Sequence, residues 1–253
     1  MVGSQLRVAA YQSPLAHPAP AEALDLLRPQ IARCERERVS MLCCPEATLG
    51  GLADYASDPF RWAIAVADLE SLLRPLANDV VTTIVGFTER SSDRLYNSAA
   101  IFHRGAVIGI YRKVHPAINT SVYAAGTETS VFRVGALTFG VVICYDSNFP
   151  DLAGQLRVQG ASVLFVPSNN GMPPDLGGAE LVELARAADR NNAVENRLWV
   201  VRADVAGHDG AFVSYGSSAI TDPQGRLICA STPLGEDLLI AEIVVSSGTD
   251  RKS

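Results

Sequence analysis

Three residues of this 253-residue sequence carry side chains that could combine in nucleophilic catalysis: Glu46, Lys113 and Cys144. A thiol attacks a carbonyl carbon effectively only as the thiolate, so it needs a nearby base or cation. Glu46 could accept the thiol proton and later return it to a leaving amine. The Lys113 cation could lower the thiol pKa and stabilise the oxyanion that develops. The chemistry these residue types predict is acyl transfer through a thioester, followed by attack of a water that Glu46 activates.

Each residue also has a structural explanation when it is taken singly. Glu46 could be a carboxylate at a helix N-terminus, Lys113 a solvated strand end, and Cys144 a small buried apolar residue.

The helical turn predicted after Cys144 would supply a further hydrogen-bond donor to the reaction centre. The backbone N–H of Tyr145, at the start of that turn, is predicted to be a second oxyanion donor.

The elements that would position these residues are strands. The runs MLCCP, IGIYR and VVI come directly before Glu46, Lys113 and Cys144, respectively. Side chains at the same ends of neighbouring strands in an α/β layer converge on one crevice, where ligands commonly bind. The sequence therefore predicts that the three side chains meet.

The rest of the chain alternates β-rich runs with helical patterns. Helices are predicted over 21–39, within 60–77, and over 149–160 and 178–197, and hairpins over 95–114 and 131–146. No linker, low-complexity tract or short repeat divides the chain. The mixture of β-α crossovers and hairpins predicts one α/β domain with more than one sheet.

Composition and charge restrict the possible partners. The chain is 48% hydrophobic and 19% charged, which is typical of a globular protein with a large core. A net charge of −6 without a Lys/Arg cluster argues against nucleic-acid binding. The apolar runs are too short for a membrane span, and no signal peptide is recognisable, so we expect a cytoplasmic protein.

The cysteine and histidine residues do not suggest a metal site. Five cysteines and four histidines are scattered without the spacing of zinc ligands. Neither a metal nor another cofactor is therefore expected. In a reducing compartment, a cysteine is expected either to pack in the hydrophobic core or to act as a catalytic group.

Several motifs in register resemble the nitrilase, or carbon–nitrogen hydrolase, superfamily. The order Glu, Lys, Cys, with separations of about 67 and 31 residues, is similar to its pattern. The resembling segments are PE (45–46), YRKVHP (111–116), ICYDSNFPDLAGQLRVQGA (143–161), VLFVPSNN (163–170), ENRLWVVRAD (195–204) and SAITDPQGRLI (218–228). The resemblance spans about residues 5–245, which we predict to be one domain, with 246–253 as a C-terminal tail.

This resemblance implies a fold and a set of roles. The implied fold is a single-domain, four-layer α-β-β-α sandwich, commonly associated as a homodimer across helices or as a higher homo-oligomer. The implied roles are base for Glu46, oxyanion-stabilising acid for Lys113 and nucleophile for Cys144.

The sequence departs from the family pattern after the lysine. Many members carry a second glutamate eight positions further on, where this chain has Ser121. Either Ser121 takes that place, as a residue that contacts substrate, or the carboxylate is displaced to Glu128. A second departure is Asn148, which stands where many relatives have Arg.

Substrate preference is predicted from the residues near the cysteine. Nitrile-cleaving members usually have Trp-Glu after the cysteine, whereas Tyr145-Asp146 is similar to amidases and carbamoylases. Asn169 and Asn170 follow a predicted strand at a place near the cysteine, where they either bind an amide or cap a loop. We therefore expect a substrate site formed by Ser121, Tyr145, Asn169 and Asn170.

The resulting hypothesis is an amidase-type hydrolase that cleaves small linear amides or N-carbamoyl compounds and releases ammonia or an amine. Its alternatives within the superfamily are a nitrilase and an acyltransferase that passes the acyl group to an amine. A further alternative is a non-catalytic scaffold that keeps the fold.

Overall fold

The computed structural model describes residues 4–16, 18–118 and 120–245. The tail predicted over 246–253 lies outside the described residues. Within the described part, the chain forms four α-helices and fifteen strands. The helices are α1 (Pro20–Arg36), α2 (Val66–Leu73), α3 (Pro150–Val158) and α4 (Ala179–Asn196).

The strands form two sheets in the described part of the chain. The nine-stranded sheet, here the first sheet, contains β1 (Ser4–Pro14), β2 (Met41–Cys43), β3 (Ile64–Ala65), β4 (Thr82–Ser91), β5 (Arg94–His103), β6 (Ala106–Arg112), β11 (Val205–Asp209), β12 (Phe212–Ser214) and β15 (Asp237–Val245). The six-stranded sheet, here the second sheet, contains β7 (Phe132–Val134), β8 (Leu137–Val141), β9 (Val163–Pro167), β10 (Trp199–Ala203), β13 (Ala219–Thr221) and β14 (Leu227–Ala230).

Alternating side chains along the strands create the layers. In β1, Val8 lies in the core between the sheets, whereas Ala9 points to the opposite face. In β9, Phe165 joins the same central core, whereas Leu164 faces outward. Since successive side chains of a strand point to opposite faces, each of these apolar strands is covered on both sides.

Helices supply the outer cover of each sheet. Leu27 of α1 and Leu69 of α2 pack in one outer core against the first sheet. Leu156 of α3 and Ala193 of α4 pack in the other outer core against the second sheet. The order of layers is therefore α-β-β-α, which confirms the predicted sandwich.

Turn residues set the hairpins that the sequence predicts. Arg104 and Gly105 join β5 to β6 with φ values of 48° and 84°, as a tight hairpin turn requires. Gly135, with a φ of 56°, joins β7 to β8. Pro29 lies inside α1 without ending the helix. The hairpin and helix predictions are thus confirmed.

The strand ends of both sheets meet at one edge of the sandwich. β2 runs parallel to β1 and β4 in the first sheet, and β9 runs parallel to β8 and β10 in the second. Beyond the strand ends, the backbone N–H of Glu46 donates to the carbonyl of Ser168 at 3.1 Å. This hydrogen bond joins a loop of the first sheet to a loop of the second.

Candidate active site

A cavity of about 460 Å³ opens where the strand ends meet. It is lined by all seven residues that the sequence predicts for the site: Glu46, Lys113, Ser121, Cys144, Tyr145, Asn169 and Asn170. Its buried end contains Glu46 and Lys113, which are 2% and 4% exposed. Tyr145 and Leu184, at 42% and 62% exposed, mark its mouth.

Glu46 is fixed by three hydrogen bonds. Its Oε1 accepts from the Nζ of Lys113 and from the Nδ2 of Asn97, both at 2.7 Å. Its Oε2 accepts from the backbone N–H of Asn169 at 3.0 Å. The carboxylate is thereby held in one orientation, and Oε2, with a single partner, keeps a lone pair for a further proton.

Lys113 is a buried cation with a direct counter-charge. Burial by itself would lower the pKa of the ammonium, but the negative charge of Glu46 outweighs burial and raises this pKa. Lys113 therefore carries its positive charge beside the cysteine and is not available as a base. Its backbone N–H donates to the carbonyl of Asn97, which anchors the end of β6 against β5.

Cys144 begins a short 3₁₀ helix, Cys144–Asn148, which is separated from the end of β8 by two residues. Its φ of 47° lies in the left-handed region, which is uncommon for a non-glycine residue. Burial, together with the nearby Glu46, raises the pKa of the thiol to about 12, although Lys113 and Arg202 oppose this. The resting residue is therefore a neutral thiol, and it requires a base to become a nucleophile.

A buried arginine supports both sides of the site. Arg202 of β10 forms a two-point ion pair with Asp189 of α4, at 2.6 and 2.7 Å. It also donates to the hydroxyl of Ser147 at 2.9 Å and to that of Ser168 at 2.5 Å. Since Ser147 lies in the turn of Cys144 and Ser168 binds the backbone of Glu46, one guanidinium positions base and nucleophile together.

Asn170 faces the cysteine with its carbonyl oxygen. The thiol donates to Oδ1 of Asn170 at 3.8 Å, a long contact to sulfur. The Nδ2 of Asn170 donates to Asp204 at 2.8 Å and to the hydroxyl of Ser217 at 3.1 Å. Because the carboxylate of Asp204 can only accept these bonds, the amide orientation of Asn170 is determined, with an acceptor towards Cys144.

The carboxylate of Asp146, two residues after Cys144, has a structural role. Asp146 accepts from the hydroxyl of Tyr111 at 2.8 Å and from the backbone of Ile143 at 3.1 Å. It also accepts from the backbone of His115 at 2.8 Å, and the His115 ring stacks on Phe149. These contacts close the turn after Cys144, as expected for a turn carboxylate.

The four residues predicted to bind substrate differ in how they reach the cavity. The side chain of Asn169 accepts from the backbone of Gly171 at 3.0 Å, so it caps a loop, and only its backbone contacts Glu46. Asn170 and the exposed ring of Tyr145 face the cavity. Ser121 lines it and donates its hydroxyl to Asp54, at 2.9 Å to Oδ1.

Glu128 is not among the residues that line the cavity. It is exposed and borders surface grooves with Thr129 and Gln155, away from the cavity. The carboxylate beside Ser121 is that of Asp54, in the 3₁₀ helix Ala53–Tyr55. Sequence reasoning missed Asp54, and it missed Asn97 as a partner of Glu46. The position of Asn97 on β5, paired with the strand that carries Lys113, was the one available signal.

Two negative findings apply to the described part of the chain. No group of three His, Cys, Asp or Glu side chains there could hold a metal ion. Within the same residues, no helix has the length and apolar character needed to cross a membrane.

The structure brings Glu46, Lys113 and Cys144 into one cavity, and comparisons with known proteins identify the family of the chain. The carbon–nitrogen hydrolase family model matches residues 7–252. The chain belongs to the carbon–nitrogen hydrolase family.

Individual relatives are similar at low identity. A protein from Pyrococcus abyssi named nitrilase is 30% identical over 183 residues, covering 71% of this chain and 66% of that protein. An N-carbamoylputrescine amidase from Solanum tuberosum is 29% identical over 203 residues, covering 74% and 67%. The chain thus aligns with about two thirds of the length of these relatives.

A solved structure shows the same fold. It is a mutant of the amidase from Nesterenkonia sp. AN1, in which acrylamide has added to the active-site cysteine. The TM-score is 0.79 at 20% identity, and the match covers 98% of this chain and 96% of that one.

Proposed function

We propose that this protein hydrolyses the carbon–nitrogen bond of a small linear amide or N-carbamoyl compound through a thioester on Cys144. The observation that carries the proposal is the buried Lys113–Glu46 pair, 2.7 Å from Nζ to Oε1, in the cavity that also holds the strained Cys144. Relatives named amidase and N-carbamoylputrescine amidase support the same reaction class.

The first half of the reaction forms the thioester. As the Cys144 sulfur attacks the carbonyl carbon, Glu46 accepts the thiol proton, because the raised pKa leaves little free thiolate. The oxyanion is stabilised by the ammonium of Lys113 and the backbone N–H of Tyr145. The tetrahedral adduct then expels ammonia or an amine, which takes its proton from Glu46.

The second half regenerates the enzyme. Water attacks the thioester carbon while Glu46 accepts a proton from this water. The second tetrahedral adduct expels the Cys144 sulfur, which recovers its proton from Glu46, and the acid product leaves. For an N-carbamoyl substrate, the acid is a carbamic acid that decomposes to carbon dioxide and a second amine.

The polarity around the cysteine favours an amide over a nitrile. Oδ1 of Asn170 is oriented towards Cys144 as an acceptor, and the scissile amide offers N–H donors that a nitrile lacks. We propose that Asn170 accepts an N–H of the leaving group, whereas the side chain of Asn169 serves its loop.

The test is a panel of ω-amides, N-carbamoyl amines and nitriles, assayed for ammonia release with and without an added amine acceptor. We expect release in water from amides or carbamoyl compounds, and none from the Cys144→Ala variant. Product formation only with added amine would show an acyltransferase instead. No turnover of any member by folded protein would favour the scaffold alternative.

We also propose a cytoplasmic homodimer. All five cysteines are free thiols, which suits a reducing compartment. Helices α3 and α4 expose Val158 and Val194, so their outer surface offers apolar area for a second copy. Light scattering after size-exclusion chromatography should give twice the monomer mass, and a monomer at micromolar concentration would contradict the dimer.

A further inference from the structure

The charged side chains that line the cavity are not balanced. Besides Glu46 and Lys113, which pair with each other, the lining contains Arg202 and Asp54. Arg202 is already bound to Asp189 and is 2% exposed. Both lining cations therefore have a carboxylate partner. Asp54 forms no ion pair with any of the described residues.

The carboxylate of Asp54 is held in place but not saturated. Its Oδ1 accepts from the backbone N–H of Val122 at 2.8 Å and from the hydroxyl of Ser121 at 2.9 Å. Its Oδ2 lies 3.1 Å from the same Ser121 hydroxyl, whose single proton can serve only one oxygen at a time. Oδ2 is thus free to accept from a ligand.

The segment that carries Asp54 is anchored to the fold. The backbone N–H of Ala53 donates to the hydroxyl of Tyr123 at 2.7 Å, and this hydroxyl contacts that of Thr88 at 2.7 Å. Tyr123 is buried, and Thr88 belongs to β4 of the first sheet. The carboxylate is therefore a fixed feature of the cavity.

Much of the remaining lining is aliphatic. Leu52, Ile118, Met172 and Leu181 contribute apolar surface to the cavity. The methylene chain of a substrate would pack against this apolar surface. A polar group at the end of that chain would need a hydrogen bond to one of the few polar residues in the lining. For a group that donates hydrogen bonds, Asp54 is the partner with unused acceptor capacity.

We propose that the cavity selects amides or N-carbamoyl compounds whose far end carries an ammonium or another cationic donor group, with Asp54 as the carboxylate that recognises it. This inference rests on the proposed hydrolysis at Cys144. A terminal carboxylate is disfavoured, because it would face the charge of Asp54 while Lys113 and Arg202 are both engaged.

The experiment compares three primary amides with the same methylene chain: 5-aminopentanamide, hexanamide and adipamate, which end in an ammonium, a methyl group and a carboxylate. Ammonia release gives kcat and KM for each. We expect kcat/KM to fall in that order, by at least about tenfold at each step, the scale of one charge-assisted hydrogen bond. A wild-type preference for adipamate over 5-aminopentanamide would overturn the proposal.

Variants separate recognition from folding. Asp54→Asn keeps the acceptor for Val122 and Ser121 but removes the charge. It should raise KM for 5-aminopentanamide at least about tenfold more than KM for hexanamide. Asp58→Asn, which removes an exposed carboxylate outside the cavity lining, is the matched control and should leave the substrate order unchanged.

The outcomes distinguish this inference from the proposed function. Equal losses on all three amides in Asp54→Asn would make Asp54 a structural residue and overturn the inference, while hydrolysis itself would stand. Ammonia release by the wild type from none of the three amides, and from none of the N-carbamoyl amines with the same three end groups, would overturn both.

Discussion

The buried end of the cavity differs from the rest of its lining in how the charged side chains are paired. At the buried end, Glu46 and Lys113 neutralise each other, and strand ends of both sheets hold them. Elsewhere in the lining, Asp54 forms no ion pair with the described residues, and Tyr145 and Leu184 at the mouth are exposed. We propose that the paired end serves the reaction and that the unpaired carboxylate serves substrate choice.

The largest effect is expected from removing the base. Glu46→Gln preserves shape but cannot accept a proton, so kcat should fall at least about a thousandfold in ammonia-release assays. The variant should still be alkylated at Cys144 by acrylamide, because Lys113 then favours the thiolate. A loss of only a few fold would mean that another group is the base.

A matched control measures the structural cost of that change. Glu89 is a buried carboxylate outside the active-site cavity that pairs with Arg112. Glu46→Gln leaves the buried Lys113 without its counter-charge and should lower the free energy of unfolding by about 3–5 kcal/mol. Glu89→Gln leaves Arg112, whose side chain is 41% exposed and can be hydrated, so its loss should be smaller. Denaturant unfolding should show a loss for both variants, while only Glu46→Gln loses turnover.

Lys113→Arg tests whether the reaction depends on the position of the positive charge at the buried end as well as on its presence. A guanidinium is a planar fork, whereas an ammonium is a compact point charge, so the substitution keeps the charge but misplaces it. We expect kcat to fall at least about a hundredfold, the order found when an oxyanion donor is removed. Near-normal kcat would make Lys113 a bystander in the reaction.

The buried end was the part of the site that could be predicted from the sequence. Glu46, Lys113 and Cys144 follow apolar strands, and strand ends converge regardless of loop detail. The α/β layers were predictable for the same reason, because apolar runs mark the strands. Asp54 was not predictable, since it reaches Ser121 from a loop some sixty-seven residues away in sequence. No periodicity relates two such loops.

The two asparagines after β9 show the same limit at a smaller scale. Asn169 and Asn170 are neighbours of one residue type, and both were predicted either to bind substrate or to cap a loop. Hydrogen bonds to Asp204 and Ser217 orient the side chain of Asn170 towards the cysteine. The side chain of Asn169 instead accepts a hydrogen bond from the backbone N–H of Gly171. Only three-dimensional neighbours could distinguish them.

Asn170→Ala should have a moderate effect. If Oδ1 accepts an N–H of the leaving group, kcat/KM for an amide should fall about three- to tenfold, the scale of one neutral hydrogen bond. An ester with the same acyl group has no such N–H and should lose less. Equal losses on amide and ester would show that Asn170 only supports the fold.

The smallest effects are expected for Ser121 and Glu128, the two candidates for the place of the family's second glutamate. Ser121→Ala removes one hydrogen bond to Asp54 and should change kcat less than about threefold. Glu128→Gln changes an exposed side chain outside the cavity and should leave kcat unaltered. A loss at Glu128 as severe as that at Glu46 would contradict the placement of this loop.

Hydrolysis through a thioester requires a covalent acyl group on Cys144, which mass spectrometry after rapid acid quench would detect. During turnover of a slow amide, we expect the added mass of one acyl group on the peptide that contains Cys144. This adduct should disappear as ammonia release ends, and it should be absent in Cys144→Ala. Cys229, the other partly exposed cysteine, is the internal control. An adduct on Cys229 alone, or ammonia release by Cys144→Ala, would rule out the thioester on Cys144.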